Sequence, residues 1–132
     1  MMNNAQLIGR LIKKPMLSYT QSGKAVLHFT IAVDNPFSKD APADLINIEQ
    51  WNKAAENSAN YLIKGEQVAV TGAIRSYKDK NGNFATKVVA NSVEFLSSKA
   101  EVAALQQKND ADEQAAANQQ QADFQQGAPV QQ

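Results

Sequence analysis

The chain has 132 residues and carries 13 Lys and Arg against 13 Asp and Glu, a formal net charge of zero. This length suits one domain with a real core and is too short for two large domains. The composition, with no cysteine and one histidine, excludes a disulfide framework, a cysteine nucleophile and the usual kinds of zinc site.

Three strands are predicted in the first half of the chain. Residues 4–12 form the first, which ends at Lys13-Lys14-Pro15, and residues 26–33 form the second. The second alternates in polarity, with one face made of Leu27, Phe29, Ile31 and Val33. A polar loop with two prolines separates it from a third strand at residues 45–51. In that strand Glu49 and Trp51 share a face, opposite to Ile46 and Ile48.

The pattern then changes to helical spacing over residues 52–64, and Lys64-Gly65 is a typical helix end. Strands follow at 67–78 and 84–96, joined by a hairpin turn at Asn81-Gly82. Five strands with one helix between strands 3 and 4 is the layout of the OB-fold, a small barrel whose outer face commonly binds oligonucleotides. The predicted fold class is therefore an all-β, five-stranded OB-fold barrel followed by a disordered C-terminal tail.

The tail differs from the body in composition and charge. Residues 1–98 carry 11 Lys and Arg against 8 Asp and Glu, whereas residues 99–132 carry 2 against 5. The tail also contains 10 Gln and 9 Ala, and it has too little apolar surface to offset the entropy of ordering. We predict an OB-fold domain at 1–98 and a disordered, acidic tail at 99–132, with a short frayed helix at 100–108.

Nothing in the sequence resembles a membrane span, and the polar start, Met1 to Gln6, lacks the apolar run of a signal peptide. We therefore expect a cytoplasmic protein without membrane contact.

Four aromatic residues occupy positions that core packing explains poorly: Phe37, Trp51, Tyr77 and Phe84. Every nucleobase has a π-face, so exposed rings among cations suit a sequence-tolerant grip on unpaired nucleic acid. Two alternatives stay open, because Phe37 could anchor its loop and Phe84 could pack on Tyr77 across the hairpin. The cations predicted to hold phosphates are Arg10, Lys13, Lys53, Arg75, Lys78 and Lys87.

Ordered matches along residues 3–97 resemble the bacterial single-stranded DNA-binding proteins. They include Ile8-Gly9-Arg10-Leu11, Phe29-Thr30-Ile31-Ala32-Val33, Trp51, Ala55-Glu56-Asn57, Lys64-Gly65, Arg75-Ser76-Tyr77 and Ser92-Val93-Glu94-Phe95-Leu96. The resemblance implies a non-catalytic OB-fold homotetramer that binds single-stranded DNA in replication, recombination and repair, and that is associated with the nucleoid.

The sequence departs from the family pattern in three ways. Leu45 stands where the family usually has a stacking aromatic, and Glu49 falls on the face expected to meet DNA, where an anion would repel phosphate. The tail ends Gly127-Ala128-Pro129-Val130-Gln131-Gln132 and lacks the usual acidic Pro-Phe tip that docks partner enzymes. This end resembles phage, plasmid or secondary chromosomal versions.

The function predicted from the sequence is binding and protection of single-stranded DNA, by base stacking on the four rings and phosphate contacts from the six cations. The alternative is an OB-fold protein-interaction module, like a primosome component, towards which Leu45 and Glu49 point. We expect no enzyme activity, cofactor, metal or small-molecule substrate, since no Gly-rich phosphate loop or metal-ligand cluster is recognisable.

Overall fold

The computed structural model describes residues 1–127, and the side chains of residues 1–118. Its elements are β1 (Ala5–Leu11), β2 (Met16–Tyr19), β3 (Ala25–Val33), β4 (Asp44–Trp51), α1 (Asn52–Tyr61), β5 (Gln67–Lys78), β6 (Phe84–Phe95) and α2 (Lys99–Gly127). The five predicted strands and the helix between the third and fourth of them are present. The predicted strand count is wrong, however, because the described residues form six strands.

The additional strand, β2, is a four-residue segment that pairs antiparallel with β3, from Met16 opposite His28 to Tyr19 opposite Ala25. All four of its residues are exposed, so it has no alternation of buried and exposed positions. Sequence patterns detect a strand mainly through that alternation. The sequence therefore predicts no strand between residues 15 and 26.

The strand pairings run in a ring. The hydrogen-bonded order is β1-β5-β6-β4-β3-β2, and β1 pairs again with β3 at Arg10 opposite Ala32 and Leu11 opposite Ile31. The β4–β6 pairing is parallel and the other pairings are antiparallel. Gly9 permits the close approach of β1 to β3, since a Cβ at that position would lie 2.5 Å from the backbone oxygen of Ala32.

The core lies inside this ring. The largest fully buried side chains are Leu27, Ile31, Ile48, Val68 and Val70. The predicted inward face of β3 is confirmed, with Leu27, Phe29 and Ile31 buried and Val33 packed against the core. Helix α1 contributes Ala55, and the chain leaves that helix at Leu62, which is extended and buried. The helix therefore ends earlier than the predicted residue 64.

The structure differs from the expected disordered tail, because residues 99–127 form the single helix α2. Two physical reasons account for its start. Ser98 accepts a hydrogen bond from the backbone N–H of Glu101, at 3.1 Å, and so caps the helix; Ala, Gln, Lys and Glu, which dominate this segment, are strong helix formers. The predicted absence of a docking tip concerns residues beyond 127, outside the described part of the chain.

Side chains from the first half of α2 contact the body. The Arg10 guanidinium lies 2.8 Å from the Glu101 carboxylate, and Asn109 donates to the carbonyl of Lys64 at 3.1 Å. Leu105 packs over Gly65. The division of the chain at residue 98 stays a prediction. Neither α1 nor α2 is long and apolar enough to cross a membrane.

Candidate nucleic-acid interface

Alternation along four strands places polar and aromatic side chains on the outer surface of the sheet. Antiparallel pairing sets His28 opposite Glu49 and Thr30 opposite Asn47 between β3 and β4. The Thr30 hydroxyl donates to the Asn47 side-chain oxygen at 2.9 Å. Between β5 and β6, Arg75 lies opposite Lys87, with Tyr77 two residues further along the same face. The outward face predicted for β3 and β4 is therefore present.

A groove of about 330 Å³ opens on this surface. Of the predicted site residues it is lined by Lys13, Tyr77 and Lys87. Other lining residues were not selected from the sequence: Lys14, Met16, His28, Thr30 and Asn47. The outward positions of His28 and Thr30 were recognisable from alternation, and Asn47 shares a face with Trp51. No pattern in the sequence showed that Lys14 and Met16 lie beside them.

Glu49 is at the centre of a hydrogen-bonded cluster on the outer surface and is only 6% exposed. Its Oε1 accepts from the Lys87 ammonium at 2.8 Å and lies 3.0 Å from His28 Nε2. Its Oε2 accepts from the indole N–H of Trp51 at 2.8 Å. We call these four residues the Glu49 cluster.

Glu49 lies on the outer face, as expected, but it is buried and paired with Lys87 rather than free; its repulsion of phosphate stays a prediction. Burial by itself raises the pKa of the Glu49 carboxyl, but the hydrogen bonds from Lys87, Trp51 and His28 outweigh burial and hold the pKa below its usual value. Glu49 is therefore ionised at neutral pH, and the Lys87 ammonium beside it compensates its charge. The sequence thus placed Glu49 on the correct face of β4, but it did not show that Glu49 pairs with side chains of neighbouring strands.

Tyr77 and Phe84 are both exposed near the end of the β5–β6 hairpin, at 38% and 77%. The Lys87 ammonium lies 5.3 Å from the centre of the Tyr77 ring, and the Lys78 ammonium 5.4 Å from that of Phe84, both within the range of cation–π attraction. Phe84 lies opposite Lys78 whereas Tyr77 lies opposite Ala85. The two rings therefore occupy opposite faces of the hairpin, and the alternative that Phe84 packs on Tyr77 is wrong.

Phe37 projects from the loop between β3 and β4 and is 94% exposed. Its backbone N–H donates to the Asn35 side-chain oxygen at 2.8 Å, which fixes the local turn. A ring with this exposure does not anchor its loop, so the open alternative for Phe37 is excluded.

The predicted cations differ in how far they are engaged. Arg10 donates to the carbonyl of Gly65 and pairs with Glu101, away from the groove. Lys13 and Lys87 both line the groove, and Lys87 is also paired with Glu49. The remaining predicted cations, Lys53, Arg75 and Lys78, are exposed and form no ion pair among the described residues. The structure thus brings Lys13 and Lys87 together with Tyr77 and leaves Arg10 apart.

A smaller groove of about 170 Å³ adjoins the first, and Asn47 and Lys87 line both. Leu45 and Ile74, both exposed, form part of its wall. The surface around Lys87 therefore changes from polar to apolar along β4. Within the residues whose side chains are described, no group of three or more His, Cys, Asp or Glu residues could hold a metal ion.

Comparisons with known proteins give one consistent result. Residues 2–96 match the model of the single-strand binding protein family. The chain is 48% identical over 103 residues to a single-stranded DNA-binding protein of Halalkalibacterium halodurans, covering 73% of this chain and 61% of the relative. It is 47% identical over 106 residues to single-stranded DNA-binding protein 2 of Listeria monocytogenes, covering 75% and 66%. The chain thus spans somewhat less than two thirds of the length of these relatives.

Among solved structures, the chain resembles a deletion variant of the single-stranded DNA binding protein from Thermus aquaticus, with a TM-score of 0.62 and 28% sequence identity. The match covers 74% of this chain and 42% of that one. Family match, sequence relatives and structural neighbour agree over the body of the chain. The chain belongs to the single-strand binding protein family.

Proposed function

We propose that this protein binds single-stranded DNA without catalysing a reaction, by stacking bases on aromatic rings and contacting phosphates with cations. The observation that carries the proposal is the outward groove of β3 to β6, which places the Tyr77 ring beside Lys13 and Lys87. Membership of the single-strand binding protein family supports the same function. The relatives named above are single-stranded DNA-binding proteins by name.

The fold proposed for this surface is an OB-fold barrel with β2 as an additional short strand on β3. The ring of pairings through β1, β5, β6, β4 and β3 supports this reading. In such a barrel the outer sheet face is the usual oligonucleotide-binding surface.

The binding mechanism assigns stacking to Phe37, Trp51, Tyr77 and Phe84. Each stacked base contributes about 1–3 kcal/mol, so a few rings supply substantial affinity without reading base edges. Phosphates are assigned to Lys13, Lys53, Arg75 and Lys78, with smaller parts for Lys87 and Arg10, which already pair with acids. Sequence-tolerant binding of this kind suits the coating of exposed strands in replication, recombination and repair, in the cytoplasm at the nucleoid.

Assembly into a homotetramer is part of the proposal. The outer face of β1 exposes Ile8, and Ile12 just beyond the strand is exposed as well. Aliphatic side chains in such a position are suited to contact a second copy. Light scattering should give a mass near four chains. A monomer at micromolar concentration would contradict this part of the proposal.

The test of DNA binding uses two independent signals. Fluorescein-labelled oligo(dT) reports binding through its anisotropy, and Trp51, the only tryptophan, reports stacking through loss of its own emission. Trp51→Ala should weaken binding by about 1–3 kcal/mol. Tyr19→Ala is the matched control, because Tyr19 is an exposed ring on β2 to which the proposal assigns no stacking. Absence of binding by the wild-type protein would refute the proposed function.

The competing function is a protein-interaction module. The exposed apolar pair Leu45 and Ile74 favours it, whereas Glu49, buried and paired, no longer does. Tight binding of oligo(dT) would support single-stranded DNA binding. A folded protein that does not bind oligo(dT) would support the protein-interaction module.

A further inference from the structure

The Glu49 carboxylate accepts hydrogen bonds from three side chains on three strands. An ionised carboxylate has no proton to donate. His28 Nε2 therefore carries the hydrogen in the bond at 3.0 Å, and His28 is a donor like Lys87 and Trp51. The arrangement satisfies a buried charge, which would otherwise be strongly destabilising.

The contact to Trp51 differs from the other two in its consequence for binding. Trp51 ends β4 and precedes Asn52, whose backbone is left-handed at φ 66°. The backbone on both sides of the ring is thus fixed by the strand and by this turn. The remaining freedom is rotation of the side chain, and the 2.8 Å bond from the indole N–H to Glu49 Oε2 restricts it.

We propose that Glu49 is a positioning residue that holds the indole of Trp51 in the orientation in which it stacks on a base. This inference rests on the proposed function and adds a residue to it. Immobilising a side chain on binding costs free energy. A ring already fixed by Glu49 avoids that loss, so free and bound proteins share one orientation of Trp51.

A purely electrostatic role for Glu49 makes different predictions. If Glu49 acted by repelling phosphate, its effect would depend on its charge and not on its reach. Glu49→Asp keeps the charge but shortens the side chain by one methylene, which withdraws the carboxylate from the indole N–H. Positioning therefore predicts weaker DNA binding for Glu49→Asp, whereas repulsion predicts no change.

The experiment is a double-mutant cycle read by anisotropy of fluorescein-labelled oligo(dT). The variants are Glu49→Asp, Trp51→Phe, which keeps a ring but lacks the N–H, and the combination of both. Each single variant should raise Kd by about two- to tenfold. The combination should be no weaker than Trp51→Phe alone, because the bond is already absent. Glu94→Asp is the matched control, since Glu94 is exposed on β6, and should leave Kd unchanged.

A second measurement uses the protein without DNA. In Glu49→Asp the emission anisotropy of Trp51 should fall and its quenching by acrylamide should rise, because the indole is released. A general loss of structure is separated from this effect by a circular dichroism melt. If Glu49→Asp does not fold, Trp51→Phe still decides, because full affinity in that variant would overturn the inference.

Two other results would overturn it. One is a wild-type Kd for Glu49→Asp, and the other is an equal effect of Glu49→Asp with Trp or Phe at position 51. Failure of the wild-type protein to bind oligo(dT) would instead refute the proposed function, on which this inference rests.

Discussion

Gly9→Ala should open the ring of strands where β1 pairs with β3. The pairing of β1 with β3 has only two registered pairs, supported by the backbone bond from Ile12 N–H to Thr30 O at 3.1 Å. An added Cβ would lie 2.5 Å from the Ala32 oxygen, so the strands must separate by roughly 0.9 Å to restore ordinary contact. Overpacking of this kind costs about 1–3 kcal/mol, and losing the backbone bond adds about 1.

The free energy of unfolding should therefore fall by about 2–4 kcal/mol, and Tm by roughly 10–25 °C for a body of this size. Urea and thermal melts by circular dichroism, at one protein concentration, measure both. Gly23→Ala is the control, because a Cβ there meets no atom within 4 Å and only the positive φ is penalised. A loss below about 1 kcal/mol for Gly9→Ala would show that the closure of the ring tolerates a side chain and that the reasoning is wrong.

Two further predictions concern single side chains. The Glu66 carboxyl is 2% exposed, and this burial raises its pKa. The nearby Glu101 charge raises the pKa further, whereas the hydrogen bond from the Ile63 N–H lowers it. Glu66 therefore favours the folded state when protonated, and this contribution is lost as the pH rises through its raised folded pKa. Glu66→Gln keeps an acceptor for the Ile63 N–H and should raise the free energy of unfolding at pH 7. In urea melts this gain should shrink as the pH is lowered; a gain that does not change with pH would contradict the raised pKa of Glu66. Asn52→Val should lower the free energy of unfolding by about 1–3 kcal/mol because a β-branched residue resists the left-handed backbone, whereas Asn52→Gly should stay within about 1 kcal/mol of wild type; equal melts for the two would refute the strain argument.

Five of the six strands could be predicted because each of them carries its own local signal. Alternation marked the inward face of β3, and Asn81-Gly82 marked the β5–β6 turn, where Asp79 and Asn83 are joined by a backbone bond of 2.9 Å. β2 has no such signal because it is four exposed residues. For α2 the sequence predicts only a short helix at 100–108, although Ser98 and Glu101 form the Ser-x-x-Glu start of a capped helix.

The candidate site was less predictable because its contacts join distant parts of the chain. Glu49 could be placed on the outer face by counting along β4. Its partners His28 and Lys87 lie 21 and 38 residues away, on β3 and β6. Only the strand order brings His28 and Lys87 beside Glu49. Glu49, expected to act as a repulsive charge, therefore accepts three hydrogen bonds, including the one from Trp51. The ion pair of Arg10 could not be foreseen for the same reason, because its partner Glu101 comes from α2.

The β1–β5 ladder determines when the body can fold during its synthesis. β1 is made first, yet its partner positions in β5 begin 57 residues after Arg10 and end with Gly72 opposite Ala5. β6 must also be complete before Phe95 can lie opposite Val68. During translation the edge of β1 that pairs with β5 therefore stays unpaired until β5 has been made. Non-local pairing of this kind is slow. The nascent protein is consequently most open to chaperone capture or aggregation just before the end of β6 emerges.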